Sequence, residues 1–171
     1  MLYTSAEANK LLRSLREEKF KLEREEDASI TFVAATVENP EDARPEYDFA
    51  AMQRRLEEID KLVRKIKHAI SVFNTTHVVP GTNMTVDEVL VYMPQLEQAK
   101  NKYLRMSQKL QKERVGRKYG DKPSANFIEY EYANYDVEEA KKKHRDVSDE
   151  LASIQIALDK LNTTSTFEIE Y

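Results

Sequence analysis

Residues 47–76 read YDFAAMQRRLEEIDKLVRKIKHAISVFNTT, and residues 135–164 read YDVEEAKKKHRDVSDELASIQIALDKLNTT, in the same frame without a gap. A shift of 88 positions lays Tyr47-Asp48 on Tyr135-Asp136, Ile66 on Ile154, Ala69 on Ala157 and Asn74-Thr75-Thr76 on Asn162-Thr163-Thr164. In the first copy Phe49, Met52, Leu56, Ile59, Val63, Ile66, Ile70 and Phe73 step by three and four, the heptad seam of a helix that packs along one side. Their counterparts are Val137, Ala140, His144, Val147, Leu151, Ile154, Leu158 and Leu161, so only His144 departs from an apolar residue. The spacing predicts two equivalent long helices.

Working outward, each long helix has a leading partner. At a shift of 81, Thr4 to Glu7 matches Thr85 to Glu88, and both present the Thr-x-x-Glu pattern that caps a helix start. Leu12, Leu15, Lys19 and Leu22 then correspond to Met93, Leu96, Lys100 and Tyr103. Each half therefore reads helix, connector, helix. The expected fold is mainly α, with duplicated antiparallel helical hairpins forming a four-helix bundle or coiled coil in a single domain over 1–171. The repeat halves fall at approximately 1–80 and 81–171. A small β element is expected from Ile30 to Ala35 and Phe127 to Tyr132 in the connectors, both rich in β-formers, and from His77 to Val79 and Thr166 to Tyr171 after the long helices. In the tail, Phe167, Ile169 and Tyr171 alternate with polar residues and predict one buried face. Asn74 and Asn162 read as left-handed helix stops, Pro80-Gly81 as a turn, and Pro94 as a kink or restart inside the third helix.

Composition agrees. Three Gly and five Pro among 171 residues, with abundant Glu, Lys, Leu and Ala, suit long helices and disfavour Gly-rich phosphate loops. The absence of Cys excludes disulfides, thiolate zinc sites and cysteine nucleophiles. The start, Met1-Leu2-Tyr3-Thr4-Ser5-Ala6-Glu7, has no basic region followed by an apolar run, and no stretch approaches the roughly 18 apolar residues of a membrane span. A cytoplasmic location without membrane contact is the expectation. A net charge of -4 argues against general attraction to nucleic acid.

Chemistry-bearing residues are few. His68, His77 and His144 are too scattered for a metal site or triad, so no catalytic, cofactor-binding or metal-binding residue is assigned, and no cofactor. His144 reads as tolerated in a core slot. Lys19 and Lys100 sit where the heptad expects an apolar residue, either snorkelling at the seam edge or pairing with a carboxylate to fix register. Arg114, Arg117, Lys118 and Lys122 form the best local basic patch and the candidate nucleic-acid contact, although a solvated loop has the same look. Tyr119, Tyr130, Tyr132 and Tyr135 are the candidate interaction aromatics, set against simple sheet packing. Glu129 and Glu131 share one strand face but are not assigned a catalytic role.

The stretch from Ile70-Ser71-Val72-Phe73-Asn74-Thr75-Thr76 through Met84-Thr85-Val86-Asp87-Glu88, with the Asn-Thr-Thr near the end, resembles a septicolysin-like family of small bacterial helical proteins. The resemblance implies a helical hairpin fold and a bacterial origin, and it carries over no catalytic residue. The chain departs from the family's shorter members by its long 114–135 connector and extended tail. A pore-forming role receives no support from a sequence without Trp or a long alternating apolar strand. The expectation is a noncatalytic structural or protein-protein interaction module that forms a homo-oligomer or binds another protein. A nucleic-acid-associated accessory protein using the 114–122 loop, or an enzyme of unrecognised type, is the alternative.

Overall fold

The computed structural model describes residues 1–115 and 128–170. The chain is mainly helical. In order it runs β1 (Leu2–Thr4), α1 (Ser5–Asp27), a single turn α2 (Pro40–Ala43), α3 (Phe49–Thr76), α4 (Val86–Ser107), β2 (Lys112–Arg114), β3 (Tyr130–Tyr132), α5 (Val137–Thr164) and β4 (Thr166–Glu168). Contacts divide it into two compact units, Met1–His77 with Asp159–Tyr171, and Val78–Leu158.

In the first unit α1 and α3 run antiparallel, as the order of their cross-links requires. Glu26 near the end of α1 accepts hydrogen bonds from Tyr47 Oη and Gln53 Nε2, each at 2.6 Å, at the start of α3. Further along, Lys19 Nζ donates to both carboxylate oxygens of Asp60 at 2.7 and 2.8 Å. Next to it, Arg55 pairs with Glu18. The core joins Ala8, Leu12 and Leu15 of α1 to Ile59 and Ile66 of α3, and Ile169 of the tail closes it. Tyr3 and Phe167 pack against its edge. β4 pairs antiparallel with β1, placing Leu2 opposite Glu168, Tyr3 opposite Phe167 and Thr4 opposite Thr166. This explains the tail's alternation: Phe167 and Ile169 share the face turned to the core, and Thr166 and Glu168 remain exposed.

In the second unit α4 and α5 are likewise antiparallel. Tyr92 Oη donates to Glu150 at 2.8 Å, while Tyr135 Oη, just before α5, reaches Met106 O in the last turn of α4 at 2.8 Å. Val79, Val86, Val89, Leu96, Val137, Ala140, Leu151, Ile154 and Leu158 are its buried apolar residues. A single antiparallel bridge, Val78 to Thr85, precedes α4. The Pro80-Gly81 turn makes that bridge possible, since Gly81 adopts φ +81°, a conformation that a residue with a side chain rarely takes.

Helix ends follow local chemistry. Thr4 and Thr85 both form complete capping boxes, each hydroxyl accepting from the third residue's amide while Glu7 or Glu88 accepts the cap's own N–H. Asp48 and Asp136 cap the two long helices through Ala51 N at 3.0 Å and Glu138 N at 2.8 Å. The seam is buried as expected at Ile59, Ile66 and Phe73 of α3, and at Val137, Ala140, Leu151, Ile154, Leu158 and Leu161 of α5. Phe49 is the exception at 65% exposed.

Three local expectations change. Asn74 and Asn162 do not end their helices; among the described residues no non-glycine takes positive φ. Both helices continue to the following threonines, whose hydroxyls bond back to carbonyls one turn earlier: Thr76 donates to Val72 O at 2.7 Å and Thr164 to Lys160 O at 2.8 Å. Residues 30–35 form no strand, because β-formers without a ladder partner cannot satisfy their backbone in a sheet. Of the two readings of Pro94, the restart is excluded, since α4 runs through it from Val86 to Ser107.

Lys19 and Lys100, equivalent by spacing, diverge in partner. Lys19 bridges to α3, whereas among the described residues Lys100 pairs only with Glu97 of its own helix, at 3.9 Å. The side chains of Lys19 and Asp60 are 30% and 43% exposed, so solvent screens the pair. The hydrogen bond to Asp60 raises the Lys19 pKa from 10.5, and that to Glu26 raises the Tyr47 pKa from 10.0. A raised folded-state pKa contributes stability below the unfolded value, which is lost as pH rises through the folded one. Urea midpoints are therefore expected to fall on the alkaline side of pH 10, and less steeply in Asp60→Asn. An identical alkaline limb in that variant would remove Lys19 from the account.

Candidate functional site

Beyond α4 the chain enters a two-stranded ladder, β2 with β3, whose register is Lys112 opposite Tyr132, Glu113 opposite Glu131 and Arg114 opposite Tyr130. Residues directly opposite in an antiparallel pair share a face. One face therefore carries Lys112, Arg114, Tyr130 and Tyr132, and the other carries Glu113 and Glu131. Lys112 Nζ lies 4.1 Å from the Tyr130 ring centroid and 5.4 Å from that of Tyr132, a cation held over two aromatic rings. The rings are tilted with centroids 6.4 Å apart, and remain 43% and 61% exposed. On the acidic face Lys109 Nζ approaches Glu131 at 3.8 Å and partly offsets the opposed carboxylates.

The ladder is anchored at its foot. Gln111 Nε2 donates to Ala133 O at 3.2 Å and Tyr135 O at 3.3 Å, and Tyr135 itself holds the end of α4. Tyr135 is thus an anchor, half-buried where the rings of Tyr130 and Tyr132 are exposed. Of the candidate residues, Arg114, Tyr130 and Tyr132 come together; Arg117, Lys118, Tyr119 and Lys122 lie outside the described residues. Lys112 was not singled out by sequence. Its signal was the alternation Lys112-Glu113-Arg114, which acquires meaning only once the facing strand is known.

The first unit holds a second feature, a groove of about 390 Å³ between α3 and the tail. Its walls are Lys65, His68, Val72 and Phe73 of α3 against Phe167 and Glu168. Phe73 stacks on the His77 ring at 4.1 Å and meets Phe167 at 5.0 Å. Among the described residues no three His, Cys, Asp or Glu gather as metal ligands, and no helix is long and apolar enough to cross a membrane. His144 is half-buried.

No protein-family model matches the chain, and no curated protein matches it. A crystal structure described as that of a functionally unknown conserved protein from Corynebacterium diphtheriae is similar to it, with a TM-score of 0.58 and 15% sequence identity. The match covers 98% of this chain and 100% of that one, a likeness of fold.

Proposed function

We propose that this chain is a noncatalytic structural module that associates with itself, built from a duplicated helical hairpin arranged as a four-helix bundle and acting in the bacterial cytoplasm. Kinship with septicolysin-like proteins belongs to the same reading. Duplication is supported by register as well as by spacing. Thr4 pairs with Thr166 in the first unit and Thr85 with Val78 in the second, and the shifts of 81 and 88 convert one pair into the other. Matching capping boxes at Thr4 and Thr85 and matching Asp caps at Asp48 and Asp136 add to it.

The observation that carries self-association is the pair of two-stranded sheets with exposed strands. A two-stranded ladder leaves backbone donors and acceptors on both outer edges, a template for a further strand. Light scattering across a dilution series tests it: a mass at a multiple of 19.9 kDa that falls on dilution is expected, and a constant 19.9 kDa would overturn it.

The basic-aromatic face of Lys112, Arg114, Tyr130 and Tyr132 favours one second reading, single-stranded nucleic acid held by phosphate contacts and ring stacking. Anisotropy of a labelled oligonucleotide separates the two. Binding that weakens with salt and disappears in Arg114→Glu would favour the second.

A further inference from the structure

Hydrogen-bond parity identifies which backbone groups each small sheet leaves unused. In the tail, Ile169 N donates to Met1 O at 3.0 Å and the Met1 ammonium to Ile169 O at 3.2 Å. Residues 169 and 167 therefore bond inward to β1, and the backbone of Thr166, Glu168 and Glu170 turns to the outer edge. In the hairpin, Val115 N donates to Glu129 O at 3.0 Å and Ala133 N to Gln111 O at 3.1 Å. Residues 111, 113 and 115 bond inward, so the backbone of Lys112 and Arg114 turns outward. Each outer edge lacks a ladder partner among the described residues. One edge presents two cations and the other two carboxylates, at the same spacing of two residues.

We propose that β2 of one copy adds as an antiparallel strand to the outer edge of β4 in a second copy, with Arg114 opposite Glu168 and Lys112 opposite Glu170. The proposal rests on the self-association reading above and names its surfaces. Along the exposed face this register makes two cation–carboxylate pairs. On the other face it sets Glu113 beside Ile169 and Val115 beside Phe167, toward the groove along α3. That groove has the matching chemistry. Lys65 and His68, which make no ion pair among the described residues, line the groove with Glu168 and Glu170 and lie a turn or more before Val72 and Phe73, so Glu113 meets its charged end and Val115 its apolar end. β-Formers and charges thus agree on one strand direction: parallel addition would carry Val115 past the end of the apolar wall. The occupant is a second copy because both complementary edges belong to this sequence.

The chain has no cysteine, so single introduced thiols report the contact without background. Hydrogen-bonded antiparallel neighbours stand about 5.5 Å apart at Cα, within disulfide reach. Arg114→Cys and Glu168→Cys chains, mixed and oxidised, are expected to give a covalent species of twice 19.9 kDa. Glu113→Cys with Glu168→Cys should not, since those side chains take opposite faces. The Glu168→Lys/Glu170→Lys and Lys112→Glu/Arg114→Glu doubles should each associate roughly a hundredfold more weakly, and mixing them should restore assembly, because like charges set opposite cost several kcal/mol. Both sets of positions are exposed, and unchanged melting confirms that each variant folds. Assembly of the wild type with no mixed disulfide and no response to charge reversal would overturn this contact and leave self-association standing. A wild type of 19.9 kDa at every concentration would overturn both.

Discussion

Replacing Phe73 by alanine is expected to destabilise the fold by about 3–5 kcal/mol, the range for truncating a buried phenylalanine. The ring is 1% exposed, stacks on His77 at 4.1 Å and meets Phe167 at 5.0 Å. Its removal leaves a void between a helix that cannot bend inward and a tail fixed by its ladder to β1, so little relaxation can refill the space. For a chain of this length each kcal/mol lowers the melting temperature by about 2–4 °C, so a fall on the order of 10 °C is expected. Differential scanning calorimetry measures it. A shift within about 1–2 °C of wild type would mean that the ring is not part of the core.

Ile169→Ala carries the second large effect, about 2–5 kcal/mol for removing a buried isoleucine side chain. Ile169 is 1% exposed although it follows the last strand of the tail, and it belongs to the cluster of Ala8, Leu12, Leu15, Ile59 and Ile66. Beyond stability, the local signature is loss of β1–β4 pairing, read as faster amide exchange at Tyr3 and Phe167, which face each other in that ladder. Glu168→Ala, one position earlier on the exposed face, supplies the contrast and should melt within about 0.5 kcal/mol of wild type. Equal losses in both variants would contradict the inward and outward alternation of the tail.

The long helices were legible because burial and sequence share a period. Ile59, Ile66 and Phe73 are seven apart and all buried. Capping was legible at Thr4 and Thr85 through the Thr-x-x-Glu pattern, whereas the caps at Asp48 and Asp136 stood in the sequence only as a repeated Tyr-Asp. What escaped was whatever depends on a distant partner. Ile30 to Ala35 has the β-formers of a strand and no strand to pair with, whereas Lys112-Glu113-Arg114, poor in β-formers, is a strand because Tyr130 to Tyr132 lies opposite. Propensity is a weak statement about sheets. The Asn-Thr-Thr signal was read at its first residue when its chemistry lies in the last two: Thr75, Thr76, Thr163 and Thr164 all donate to carbonyls three or four residues back. At the candidate site the sequence pointed to Arg114, Tyr130 and Tyr132 and could not give the facing register that joins Lys112 to them.

The ladder between β1 and β4 joins residues more than 160 positions apart, whereas everything in the second unit lies between Val78 and Leu158. A ribosome delivers the chain from one end. Ile59 and Ile66 can pack on α1 as soon as α3 has emerged, but Ile169 joins them only after the whole of α5 has followed. Until then the side of that core which Ile169 covers is the surface a nascent-chain chaperone would meet.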